Sequence, residues 1–190
     1  MKLTGEIRPD RPLIVVALDI EAEHLKTLEL PMLICGIGKV RAATAVATIM
    51  TAGRPSEILN LGTAGALTEG LQGTHTVGLV TQHDFDDEAI HALVGTHHGA
   101  PIELGEGLRL ATGDRFIAGG PLREQLAATH DLVDMEGYAV AAAAQAADVP
   151  VRLVKHVSDP ADQHAVSSWK DSVEDSAEHL ADWIRAHVPH

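Results

Sequence analysis

Short apolar runs recur along the chain, separated by stretches of helical spacing or by turns, and this alternation limits the fold more than any other feature. The run at 13–18, Leu-Ile-Val-Val-Ala-Leu, is apolar throughout. A strand that reads as an unbroken apolar run is covered on both faces, as in the sheets of α/β proteins, whereas a half-exposed strand alternates. The same pattern predicts strands over 32–37, 57–61, 76–81, 108–112 and 151–157, and helices over 19–29, 40–51, 121–129, 136–147 and 168–187. Local signals support the boundaries. Pro31 closes the first helix, Gly36-Ile37-Gly38 turns into the second, and Pro121 opens the third. The alanine-rich helix over 136–147 has the best intrinsic propensity and stops before Pro150. In the last helix Val173, Leu180, Trp183 and Ile184 share one face. The first helix carries early carboxylates where its dipole favours them, Gly62-Thr63-Ala64-Gly65 reads as a glycine-rich loop, and 82–106 reads as loop and short strands.

Aromatic residues make up only 3% of the 190, so the core is built from Ala, Val, Leu and Ile. The formal charge of −13 gives a surface that repels phosphates, which argues against nucleic-acid or anionic-membrane partners and for a small neutral or cationic ligand. Cys35 is the one cysteine, so no disulfide forms within the chain. The opening MKLTGEIRPDRP is not followed by a secretory apolar segment, and the run at 13–18 is too short to cross a bilayer, so a cytoplasmic location is expected.

Three acids, Glu21, Glu136 and Asp159, stand at predicted strand ends or helix starts, where α/β sheets gather ligands. Taken singly, each is equally an N-cap or first-turn carboxylate, and periodicity does not choose between the readings. The histidines crowd the middle, with His75, His83, His91, His97 and His98 beside Asp84, Asp86 and Asp87. Imidazole and carboxylate are metal ligands, but no HExxH or comparable spacing occurs, so these are read as groups on a solvated loop and no metal or cofactor is expected. The segment Gly36 to Lys39 is too short for a phosphate-binding loop and reads as a strand-to-helix turn.

Read in order, ALDIEAE (17–23), CGIGKVRAATA (35–45), LNLGTAGAL (59–67), ATGDRFI (111–117), VDMEGYA (133–139) and VSDPAD (157–162) resemble the nucleoside phosphorylase superfamily, and within it the methylthioadenosine/S-adenosylhomocysteine nucleosidase branch. The resemblance spans nearly the whole chain. It implies one phosphorylase-like domain over 1–190, a three-layer α/β/α fold with a mixed twisted central sheet, and hydrolysis of the N-glycosidic bond of 5′-substituted adenosines without a cofactor. By the same resemblance Glu21 activates the attacking water and Asp159, with Ser158, engages the adenine. Glu136 holds the ribose hydroxyls and Met135 packs on the sugar. Phe116 and Ile117 meet the base, while Thr63, Ala64 and Gly65 border the sugar and water site. A homodimer is implied, the partner subunit helping to close the pocket for the 5′ substituent.

The chain departs from the branch in a shorter middle, in Lys155 where an arginine is usual, and in Ala66 where a second glycine is usual. Two other readings keep the fold: a phosphorylase, and a noncatalytic nucleoside-binding protein. Against the first, Asn60 stands where phosphorylases carry a phosphate-binding arginine, and Asp19, Glu21 and Glu23 replace their basic, glycine-rich opening. Against the second, all three carboxyl groups are kept. A metal-dependent hydrolase using the histidine-rich middle ranks last.

The chemistry explains the residue types. Cleaving the bond builds positive charge on the ribose and negative charge on the purine, so one carboxylate must serve the sugar side and one carboxylic acid must protonate the base.

Overall fold

The computed structural model describes residues 1–188. Its strands are β1 (Lys2–Thr4), β2 (Leu13–Val16), β3 (Met32–Ile34), β4 (Ile58–Ala66), β5 (Thr74–Gln82), β6 (Ile102–Glu103), β7 (Leu108–Thr112), β8 (Leu132–Asp134) and β9 (Val151–Asp159). The helices are α1 (Lys39–Met50), α2 (Asp87–Val94), α3 (Pro121–Ala127), α4 (Gly137–Ala146) and α5 (Ala165–His187), with a 3-10 turn at His24–Leu28.

The apolar runs form strands covered on both faces. Along β2, Leu13 and Val15 point to a cluster with Ala42, Val46 and Ile49 of α1 and Val140 and Ala144 of α4. Ile14 and Val16 point the opposite way, to Leu180, Ala181 and Ile184 of α5 and Leu25 of the 3-10 turn. Helices therefore cover both sides of one mixed sheet, and the expected three layers are present. Trp183 packs at the edge of the second cluster, partly buried.

The sheet also closes on itself. Strands β2, β3, β4 and β9 run parallel, β9 pairs antiparallel with β5, β5 parallel with β7, β7 parallel with β8, and β8 antiparallel with the end of β4. One edge of β4 is shared: β2 pairs with it only as far as Asn60, and β8 only from Gly65. Between them, the stretch around Thr63 has an edge without a strand partner. A register shift between Ala64 and Gly65 accompanies the change of neighbour.

Four expectations need correction. Residues 19–29 do not form an α-helix: the chain turns through a short 3-10 segment and leaves it at Glu29 in a left-handed conformation, because the Glu21 carboxylate folds back onto backbone N–H groups. Gly62-Thr63-Ala64-Gly65 is strand, not loop. Its glycines serve close approach: a Cβ on Gly65 would lie 3.0 Å from Ala161 Cβ and 3.1 Å from Asp159 Oδ1. The segment 82–106 contains α2, capped by Asp86, whose side chain accepts from Ala89 N at 3.0 Å, and ended by Gly95. β8 was not anticipated, being three residues long.

Leu13 is fully buried between the sheet and α1 and α4. Leu13→Ala is expected to cost about 2–5 kcal/mol of stability. Urea unfolding measures it, and a loss below about 1 kcal/mol contradicts the two-faced packing of β2.

Candidate active site

The strand ends meet at one cavity of about 190 Å³, bordered by Leu18 after β2, Thr63 to Gly65 of β4, Phe116 and Ile117 after β7, Val133 to Glu136 at the end of β8, Asp159 of β9 and Trp169 of α5. Most of the residues expected from sequence are thus brought together. Phe116 lies at the exposed rim and Ile117 is buried. Glu21 and Ser158 do not themselves border this space. Ser158 stands behind Asp159, its hydroxyl donating to Asp159 Oδ2 at 2.8 Å, so it holds the acid in place and does not face the cavity.

Glu21 is buried just behind the wall made by Leu18 and Thr63. Its Oε2 accepts from the N–H groups of Ala17 (3.1 Å) and Leu18 (3.0 Å). Its Oε1 accepts from Thr63 N at 3.1 Å and lies 3.4 Å from Thr63 Oγ1. Thr63 offers that N–H because its strand edge is uncovered. Oε2 accepts two well-formed bonds, whereas Oε1 accepts one and has a second, longer contact, so Oε1 is the less fully engaged oxygen. Asp19 and Glu23 point outward, toward Lys2 and Lys26, so of the three acids at 19–23 only Glu21 turns in.

Glu136 is the residue before α4, and its Oε1 accepts from Gly38 N at 2.8 Å. Gly38 presents that N–H from a backbone with φ 95°, and a Cβ there would lie 2.9 Å from Asp114 Oδ1. Burial, reinforced by Asp134, pushes the Glu136 carboxyl up to about 8, against the opposing pull of Lys155 and of the Gly38 N–H. Burial likewise raises the Asp159 carboxyl, offset by hydrogen bonds from Ser158 and from the Ala161 N–H and aided by Asp162. A carboxyl raised by burial keeps its proton to higher pH than an exposed one and is the better placed to donate it.

Beneath the cavity lies a polar network that sequence reasoning did not assign. Lys155 is 1% exposed, and its ammonium donates to Asp134 Oδ2 (2.8 Å) and Asn60 Oδ1 (2.9 Å). Asp134 also accepts from Thr112 Oγ1 (2.6 Å) and Gly137 N (2.8 Å), and Asn60 Nδ2 donates to Val15 O at 3.1 Å. Burial opposes the Lys155 charge, but Asp134, Glu136 and Glu21 outweigh it and hold its pKa above the ordinary lysine value. Asn60 therefore supports the sheet rather than facing a ligand. A lysine in the middle of the strand VRLVKHV, directly after Leu153 and Val154, is the sequence signal that could have found the network, since an unpaired charge is not kept in a covered strand.

Other candidates fall away. Burial, with Glu136 and Glu21, pushes the Cys35 thiol up to about 12, so it is no nucleophile near neutrality. His97 pairs with Asp87 and stacks on His91 at 3.9 Å, and among the described residues no group of three or more His, Cys, Asp or Glu could hold a metal ion. Lys39 of the GIGK segment is spent on Gln82 and Asp84. No helix among the described residues is long and apolar enough to cross a membrane.

Carboxyl groups held in different environments around one cavity at the strand ends are an arrangement that α/β enzymes use for acid–base chemistry. The chain belongs to the phosphorylase superfamily, whose profile matches residues 20–104 and 75–188. It is 29% identical over 164 residues to the 5′-methylthioadenosine/S-adenosylhomocysteine nucleosidase of Actinobacillus succinogenes, covering 72% of this chain and 70% of that protein. It is 25% identical to the enzyme of the same name from Geobacillus sp. over a 210-residue alignment, covering 96% and 90%. A crystal structure of a Helicobacter pylori MTAN mutant with 5′-methylthioadenosine in its active site superposes with a TM-score of 0.83 at 22% identity, over 93% of this chain and 97% of that one. The resemblance read from the sequence segments is borne out at the level of family and fold.

The raised Glu136 carboxyl has a consequence for stability. Its ordinary value is 4.5, so between about 4.5 and about 8 the unfolded chain loses a proton that the folded chain keeps, and stability falls as pH rises through that window. Glu136→Gln cannot ionise and is expected to match the parent's melting temperature near the lower end and to exceed it by several degrees above the upper end. Parallel melting curves for the two proteins at all pH values would contradict the assignment.

Proposed function

We propose that the chain is a nucleosidase that hydrolyses the N-glycosidic bond of 5′-substituted adenosines, such as methylthioadenosine or S-adenosylhomocysteine, to adenine and the free sugar. The reading rests above all on the two carboxyl groups held on either side of the cavity wall: Glu21, with Oε1 the less fully engaged of its two oxygens, and Asp159, raised toward the protonated form. The names of the sequence relatives support the substrate class.

In this mechanism Asp159 donates a proton to N7 of the purine as the bond breaks, and Ser158 steadies it. Glu136 holds the ribose hydroxyls, with Met135 against the sugar and Phe116 and Ile117 against the base. Water reaches the anomeric carbon from the Thr63 side and gives its proton to Glu21 Oε1. The Glu21 carboxylate also favours the positive charge that develops on the ribose. The whole chain acts as one phosphorylase-like domain, in the cytoplasm, within methionine salvage. A homodimer fits the exposed apolar side chains of Ile37 and Phe116 at the cavity, which a partner subunit would cover.

Water rather than phosphate is the acceptor because the cavity has no cluster of cations to hold a dianion. Arg115, in the exposed loop beside Phe116, is the one basic residue that borders it among the described residues. A phosphate dianion lacks there the forked, charge-assisted contacts that would hold it, and a neutral water does not need them. Adenine release from methylthioadenosine is expected at the same rate in phosphate-free buffer and with millimolar phosphate, with free methylthioribose as the other product. Phosphate-dependent release, with a sugar 1-phosphate appearing in step with adenine, would overturn the hydrolase reading.

A further inference from the structure

The side chain of Trp169, in the second turn of α5, borders the cavity and does more than fill it. Its Nε1–H donates to Thr63 Oγ1 at 3.0 Å, and Thr63 Oγ1 in turn lies 3.4 Å from Glu21 Oε1. An indole N–H only donates, whereas a hydroxyl carries one proton and accepts on its oxygen. The direction of the chain is therefore fixed: Trp169 to Thr63, and Thr63 to Glu21. Threonine is stiff about χ1, so anchoring Oγ1 also sets the side chain that walls off the carboxylate.

We infer that Trp169 is a positioning residue for the water-activating carboxylate, acting through the Thr63 hydroxyl. It rests on the nucleosidase reading above. The Glu21 Oε2 position is set by Ala17 and Leu18, but Oε1, the oxygen that takes the proton from water, is set by Thr63 alone among the described contacts. Trp169 keeps the Thr63 hydroxyl proton directed at Oε1. Without the indole N–H the hydroxyl is free to turn and to accept from the attacking water, in competition with Glu21. The effect falls on turnover more than on binding, because Oε1 matters only when water gives up its proton.

The experiment compares kcat and KM for adenine release from methylthioadenosine by the parent, Trp169→Phe, Thr63→Val and the double variant. Phenylalanine keeps an aromatic ring and loses the N–H, and valine keeps the shape of threonine and loses the hydroxyl. Trp169→Phe is expected to lower kcat about tenfold, with KM changed by less than about threefold. The double variant is expected to be no slower than Thr63→Val, since both changes break one chain. Thr63→Ser, which keeps the hydroxyl, should be less impaired than Thr63→Val and remain sensitive to Trp169→Phe. Losses that multiply in the double variant, or a Trp169→Phe protein with unchanged kcat, would overturn the inference and leave Trp169 a wall residue. A parent that releases no adenine would sink the nucleosidase reading, and this inference with it. A hydrolysing parent with multiplying losses would sink the role of Trp169 alone.

Discussion

The ammonium of Lys155 is held where water does not reach, and a charge so placed must be paired on all sides or it destabilises the fold by several kcal/mol. Its partners come from separate strands. Asp134 is the last residue of β8 and Asn60 lies in β4, while Lys155 itself belongs to β9. Through Asn60 the network reaches the Val15 carbonyl of β2, and through Asp134 it reaches Thr112 of β7 and the Gly137 N–H that opens α4. One buried ion pair thus ties five strands and a helix together at the point where the sheet closes.

The reactive groups are arranged around that tie. Met135 and Glu136 follow directly from Asp134, so fixing the aspartate fixes where the glutamate starts, and Gly38 meets it from the other side. Asp159 ends the strand that carries Lys155, four residues further on, beyond the reach of the ammonium and against Ser158 and Ala161. The gap left on β4 between β2 and β8 exposes the Thr63 N–H that grips Glu21. Closure of the sheet, the unpaired strand edge and the placement of the three carboxyl groups are consequences of one topology. The same burial that makes the network costly raises Glu136 and Asp159, so the price of a dry site supplies its proton donors.

Much of this was legible in the sequence, and the exceptions have physical causes. The runs around Leu13, Met32, Ile58 and Val151 read as strands because both faces are covered, and the alanine-rich stretch after Glu136 read as a helix because propensity and packing agree there. The segment after Leu18 looked helical from its acids, yet Glu21 satisfies strand-end N–H groups instead, a tertiary use that local pattern does not reveal. Gly62 to Gly65 looked like a loop because glycine usually marks one, whereas here it admits Asp159 and Ala161 close to a strand. Helix α2 had its cap at Asp86 and its stop at Gly95, signals masked by the crowd of histidines. The carboxyl groups were found through motifs, not periodicity. Lys155, Asn60 and Trp169 were invisible as partners because their contacts cross about a hundred residues of sequence.

The central claim is that Glu21 accepts the proton of the attacking water and contributes little to holding the nucleoside. Binding and turnover of methylthioadenosine by Glu21→Gln, measured by calorimetry and by adenine release on one preparation, separate those two roles. The amide keeps the shape of the side chain but cannot serve as the base, so affinity should stay within a few-fold of the parent's dissociation constant while turnover falls by about a thousandfold or more. Turnover close to the parent's would contradict the account, and would return Glu21 to a structural carboxylate that merely closes the end of β2.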